Sequence, residues 1–407
     1  MFMVTIYPFK ALRPLPELGA QMASVPYDVI TREEGILLAK GKPYSFLHVI
    51  RPDIDFPPET PPEDPQVYLR AKQVLQSWIQ EKRLIQEKTP QLYLYQIQQG
   101  THQQTGVVCC SSLAEYEKNI IKKHEKTRKD KEADRVQHFR TVSAHDEPCF
   151  LLFKTFSPLS KLIQQGLSVA PLYNFTSEDG IAHRLYPIAD PSPFVSAFQK
   201  VSELYVADGH HRTQAAYLLW KEAQTRFNDP KKVPPEYERF LTVLFPQEQL
   251  RILPYNRIIK EIPPALKERF FAQFQQKFPQ VQEPLRKGVF RIYWNSRWTA
   301  HQIPNALYGK TPAEQLDVAV LQKEMFSALF ELHDPRTDPR FLFVGGGSEE
   351  KIQKMVDEHH YPLGVSLFPV AIEELIRISD AGEILPPKST WFEPKLRSGL
   401  FLHLFES

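Results

Sequence analysis

The 407 residues carry 50 Lys and Arg against 48 Asp and Glu, a net charge of +2, so no global field favours nucleic acid or an anionic membrane. Hydrophobic content of 42% with 27 Phe supplies ample core, and the length suggests two or three packed domains. No apolar run is long enough to span a bilayer, no secretory leader is expected, and Cys109, Cys110 and Cys149 lack the CxxC spacing of a zinc site, all of which fits a reducing cytoplasm.

In chain order, residues 4–14 read as a short strand ending in a proline-fixed turn, with Val25-Pro-Tyr-Asp28 as an irregular segment after it. Thr31 caps a helix starting near Arg32, with Glu33 and Glu34 in its first turn and an end near Gly41. The apolar run Ser45–Arg51 reads as a strand. Residues 66–86 carry Leu69, Val74, Leu75, Trp78 and Ile79 at helical spacing. Residues 92–97 and 104–111 form a hairpin around Gln99-Gly100. The charged run 115–140 reads as one or two helices by composition. Strands are predicted at 149–154, 181–187, 204–207, 240–245 and 252–259, helices at 190–200 and from Thr213, and a basic loop at 228–235.

After Ile262-Pro-Pro264 the texture changes. A helix at 265–277, strands near 289–294, a helix at 317–330, a strand at 341–344, Gly345-Gly-Gly347, a helix at 349–359 and a strand at 365–370 suggest a small α/β lobe. The expected division is 1–262, a nucleotide-binding and catalytic region, and 263–407, a C-terminal α/β lobe with a closing tail.

The stretch Leu204-Tyr-Val-Ala-Asp-Gly-His-His-Arg212 is the centre of the functional reading. Strand, glycine bend and helix start aim backbone N–H groups at one point, where an anion is welcome. Arg212 can fork onto a phosphate, and Asp208 can hold a metal ion or a hydroxyl. The plain alternative is a polar turn that only caps the helix. The second charged stretch, His124-Glu-Lys-Thr-Arg128, reads either as the solvated face of a helix or as a base with phosphate clamps. A zincin helix is disfavoured, because Arg128 stands where the second histidine belongs. Gly345-Gly-Gly347 lacks a P-loop's Lys-Ser/Thr. His183-Arg184 reads as an exposed pair. The loop 385–395, with Lys388, Ser389, Thr390 and Lys395, either closes over an anion or staples the tail.

Six motifs from end to end carry a resemblance: Pro8-Phe-Lys-Ala-Leu-Arg-Pro14, Pro26-Tyr-Asp28, Phe46-Leu-His-Val-Ile-Arg51, His124-Glu-Lys-Thr-Arg128, Ala207-Asp-Gly-His-His-Arg212 and Pro386-Pro-Lys-Ser-Thr390 with Glu393-Pro-Lys395. Together they resemble the family known as domain of unknown function 1015 (DUF1015). The core Asp208-Gly-His-x-Arg212 is also similar to the phosphate turn of the ParB/sulfiredoxin-like superfamily, which includes free-serine kinases. That second resemblance implies an α+β fold with a mixed-sheet ParB/sulfiredoxin-like core. It also implies a nucleotide phosphate site at Asp208, Gly209, His210 and Arg212. A sulfiredoxin-type reaction would need a cysteine where histidine stands.

The expected function is a nucleotide-dependent kinase phosphorylating a small hydroxyl metabolite such as free serine, with ATP or ADP and Mg2+. Glu125 would be the base, with His124 and Arg128 beside it. Lys126, Asp208, Gly209, His210, His211 and Arg212 would hold the nucleotide, and Asp208 the metal. The alternatives are a non-catalytic nucleotide- or metabolite-binding regulator and, less favoured, a hydrolase using His124, His210 and His211 as metal ligands. No membrane or nucleic-acid partner is expected.

Overall fold

The computed structural model describes residues 3–227 and 232–405, the side chains of 268 and 269 apart. They group into two compact units. The first comprises Met1–Lys122, Thr127–Leu250 and Pro394–Ser407, and the second Lys123–Lys126 and Arg251–Glu393. Among the described residues no helix is long and apolar enough to cross a membrane.

The first unit is built on a nine-stranded mixed sheet. Leu204–Asp208 runs parallel to Ile121–Lys122 and antiparallel to Cys149–Phe153. Arg239–Pro246 is parallel to Cys149–Phe153 and antiparallel to His102–Ser112. The predicted hairpin is present as Leu92–Gln99 and His102–Ser112, with Gly100 at φ +58° in its turn. Ala182–Ile188 and Tyr173–Thr176 extend the far side. Val136 and Phe139 of the helix Lys129–Val142 pack with Ala215, Leu219 and Trp220 of the helix His210–Arg226 into one core beneath the sheet residues Leu151, Leu204 and Val206. A second core in this unit joins Phe46, Leu47 and Ile50 to Ala71, Val74, Leu75 and Trp78.

Several local readings hold. Thr31 caps Arg32–Ala39 in a full capping box: its hydroxyl accepts from Glu34 N, and the Glu34 side chain accepts from Thr31 N. Others do not. Leu47–Ile50 is a helical turn rather than a strand. A short run in which only His48 is polar has no clear period to separate the two. In Pro65–Gln80 the buried face is Val67, Tyr68, Ala71, Val74, Leu75 and Trp78, leaving Leu69 and Ile79 exposed. The run 115–140 does hold two helices, Leu113–Glu117 and Lys129–Val142, but Asn119 turns with φ +58° into the Ile121–Lys122 strand and a loop that part them. The predicted loop 228–235 falls in part outside the described residues.

The second unit holds a six-stranded sheet that is antiparallel throughout, including Tyr255–Ile259, Val289–Trp294, Arg297–Gln302, Phe341–Gly345 and Leu363–Ser366. The expected α/β lobe is thus corrected to α+β: its helices cover an antiparallel sheet and do not cross over between parallel strands. Phe270 and Phe274 of Pro264–Lys277, with its C-cap Phe278, share a core with Phe290, Leu321 and Phe326. The helix predicted at 317–330 is present but widens into a π turn at Gln322–Ser327.

Candidate functional site

Leu204–Asp208 delivers the chain to Gly209, whose φ of +91° is open to glycine and costly for other residues. An added Cβ there would also come within 3.2 Å of the Arg212 guanidinium. The helix begins at once with His210, three residues earlier than predicted, so both histidines and Arg212 lie in its first turn. A register shift between Val206 and Asp208 against Cys149–Phe153 re-aims the strand end just before the turn. Asp208 faces two cations, Arg212 Nη2 and Lys395 Nζ, each at 3.4 Å. Arg212 is 2% exposed and its Nη1 donates to Pro148 O at 2.7 Å. His211 Nε2 accepts from the backbone N–H of Arg128 at 3.1 Å.

Further charged groups of the first unit act on the same arginine. Glu147 is 1% exposed; its Oε1 accepts from Tyr27 N at 3.2 Å and from Ser398 Oγ at 2.9 Å. Arg135, 5% exposed, lies over the Tyr27 ring at 4.1 Å, donates to Asp134 at 2.9 Å, and stands 3.9 Å from Glu147 Oε2. Burial pushes the Glu147 carboxyl up, against the pull of Arg212 and Arg135. Burial alone would lower the Arg212 guanidinium, but Glu147 and Asp28 outweigh it and hold the cation firmly charged. Arg51 positions the Pro26–Asp28 segment by donating to Tyr27 O at 3.0 Å and Ile30 O at 2.8 Å, while pairing with Asp53. Cys149 stays a thiol, burial lifting it to about 11.

The other predicted stretch is divided. Arg128 belongs to the first unit, exposed and paired with Asp130, directly ahead of the helix Lys129–Val142. His124, Glu125 and Lys126 belong to the second. His124 is 1% exposed and its carbonyl accepts from Leu385 N at 2.8 Å. Glu125 and Lys126 line a cavity of about 490 Å3 with His333, Asp334, Arg336 and Pro386. These residues are loop, so the solvated-helix-face reading fails for them.

Among the described residues no group of three or more His, Cys, Asp and Glu side chains could hold a metal ion. Asp208, flanked by a guanidinium and an ammonium, does not fit a protein-ligated Mg2+. Among the smaller signals, Lys395 joins the cluster, while Gly345 and Gly346 are structural, with Trp391 packed where any Cβ would go. His183, read as part of an exposed pair, is fully buried and bonded to Tyr95.

Glu147 and Arg135 are the residues that sequence reasoning missed. The signal for Glu147 is His145-Asp-Glu-Pro148, three ionisable groups immediately before an apolar strand. Arg135 was hidden in a run of similar charges, where only tertiary placement distinguishes it.

The family described as "Protein of unknown function (DUF1015)" matches residues 6–319. No curated protein matches the chain. Similar solved structures include a free serine kinase in complex with AMP, 13% identical, covering 72% of this chain and 92% of that one with a TM-score of 0.37. A conserved hypothetical protein from Pyrococcus furiosus is 12% identical over 73% and 94%, also at 0.37. SbnI with C-terminal truncation from Staphylococcus aureus is 10% identical over 72% and 85%, at 0.39. Likenesses of this size say nothing about activity.

Proposed function

From the premise that the chain belongs to the DUF1015 family of proteins of unknown function, we propose that its first unit binds the phosphates of ATP or ADP, and that the protein is a kinase for the hydroxyl of a small metabolite, free serine being one candidate. The observation that carries this reading is a pair of buried arginines with unmet donors. Arg212 Nε is buried and finds no acceptor among the described residues, and Arg135 Nη1, though 3.9 Å from Glu147 Oε2, makes no hydrogen bond there. A buried charged donor left unpaired costs about 1–3 kcal/mol or more, and a phosphate oxygen offsets it. Arg212 also stands in the first turn of a 17-residue helix, where the backbone favours an anion. The ParB/sulfiredoxin-like name for this core belongs to the same proposal and rests on the Asp208-Gly-His-x-Arg212 turn.

In the proposed reaction the acceptor oxygen bonds to the terminal phosphorus, the bond to the nucleotide's bridging oxygen breaks, and a base takes the hydroxyl proton. Glu125 is assigned as that base, His124 and Arg128 as its helpers, and Lys126, His210 and His211 as nucleotide contacts. Mg2+ would come with the nucleotide phosphates.

A thermal-shift series with ADP and ATP, with and without Mg2+, tests binding, and phosphate NMR with serine tests turnover. A nucleotide at 100 times its Kd stabilises the native state by about 2.7 kcal/mol. If neither nucleotide moves the midpoint, the reading falls. Binding without turnover selects the regulator, a reading favoured by Asp208 being held between two cations. Glu125→Gln should abolish turnover and keep the thermal shift.

A further inference from the structure

A second cavity, of about 410 Å3, lies in the first unit, and residues 208–212 do not line it. Its size falls in the range of small-molecule sites, roughly 300–1,000 Å3. One wall is apolar, with Val25, Leu38, Tyr44 and Leu47. The rest of the lining includes two ion pairs, Arg397 with Asp179 and Lys42 with Glu178, the latter at 2.7 Å.

The two pairs differ in kind. Lys42 and Glu178 are exposed at 41% and 76% of their side chains. Arg397 is buried, its side chain 4% exposed, and fixed on several sides. Its backbone N–H donates to Tyr95 Oη at 3.3 Å, its Nε to His183 Nε2 at 3.3 Å, and its Nη2 to Ser177 Oγ at 3.0 Å and to Asp179. His183 is held neutral, burial and the Arg397 charge driving it down to about 3, so its Nε2 is an acceptor for Arg397. No hydrogen bond among the described residues uses Arg397 Nη1. The cavity thus offers a rigid guanidinium edge at depth, a lysine and two carboxylates farther out, and an apolar wall.

We propose that this cavity binds a small zwitterion of the amino-acid class with an apolar side chain. Its carboxylate meets Arg397 Nη1, its ammonium meets Asp179 and Glu178, and its side chain lies on Val25, Leu38 and Leu47. A simple anion would leave the two acidic residues repelling it, and a simple cation would face Arg397 and Lys42. A ligand carrying both charges satisfies both pairs at once. The assignment stands whether or not the protein binds nucleotide.

Calorimetric titration of the full chain, without nucleotide, tests it with L-leucine, 4-methylpentanoate, which lacks the ammonium, and L-leucine methyl ester, which lacks the carboxylate. L-leucine should bind, and each analogue should bind about tenfold more weakly, the scale of one lost charge-assisted contact. Two lining variants at exposed positions spare the fold. Glu178→Gln should weaken L-leucine several-fold and leave 4-methylpentanoate unchanged, and Leu38→Glu should abolish binding. No binding of L-leucine, equal binding of the three probes, or undiminished binding by Leu38→Glu overturns the proposal.

Discussion

Arg212 in the first unit and Arg257 in the second are equally buried, each 2% exposed, yet sit in opposite electrostatic surroundings. Arg212 is faced by Asp208 and acted on by Glu147 and Asp28, and these carboxylates raise its hold on the proton despite burial. Arg257 donates to the carbonyls of Tyr255, Asn256, Pro387 and Lys388 and lies 4.5 Å over the Phe343 ring. Burial drives it down to about 9, with only Tyr255 opposing. Depth alone therefore does not mark a site. A guanidinium among carboxylates is part of an adjustable charge cluster that an incoming anion can re-pair. One among carbonyls and rings is a pin, here tying Pro387 and Lys388 to a strand.

The largest effect that separates them is removal. Arg212→Ala leaves Glu147 and Asp208 short of a cation and should cost about 3–5 kcal/mol, read as a fall in the urea midpoint, along with loss of the nucleotide-induced thermal shift. Arg257→Met keeps much of the volume over Phe343 and strands only carbonyls, so about 1–3 kcal/mol is expected, with faster amide exchange confined to 385–390. If Arg257→Met proves the costlier of the two, or abolishes the nucleotide shift, the distinction drawn between them is wrong.

Much of this contrast could not be read along the chain, for identifiable reasons. Signals that live within one turn of structure were legible. The Thr31 to Glu34 capping box, the Gly100 hairpin and the strand–Gly209–helix junction all depend on neighbours a few residues away. The Phe46–Ile50 run misled because so short a stretch, apolar at every position but His48, is too short to show a period. The Lys122–Arg128 run misled because alternating charge suits a helix face, whereas the backbone there leaves a strand for a loop. What makes the cluster a site is long-range: Glu147 accepts from Tyr27, 120 residues away, and from Ser398, 251 away. No spacing rule reaches that far. The DUF1015 motifs did mark Pro26–Asp28, 207–212 and Lys395 as a set without saying that they meet.

Arg397 falls between the two cases, with Asp179 on one side and a neutral imidazole on the other. His183 titrates at about 3 in the folded chain against an ordinary 6.5. The unfolded chain therefore binds one more proton between those values, and stability falls as pH drops through that window. Between pH 7 and pH 4 the loss from this group is about 3 kcal/mol. His183→Gln should flatten that part of the pH–stability curve, measured by urea unfolding at each pH. An unchanged slope would mean that the buried carboxylates carry the acid sensitivity.

The smallest effect comes from an arginine outside both classes. Arg128 forks onto Asp130 at 3.1 and 2.7 Å with both side chains open to solvent, 44% and 58% exposed. A pair of this kind contributes about 0–1 kcal/mol, so Arg128→Ala should leave the urea midpoint almost unmoved. The backbone N–H that Arg128 donates to His211 survives the substitution, which keeps the turn's geometry intact. Any drop in the nucleotide-induced thermal shift then reports lost contact with phosphate rather than lost structure, because the stability readout is silent. An unchanged shift would remove Arg128 from nucleotide binding and leave its proposed place beside the base to be read from turnover.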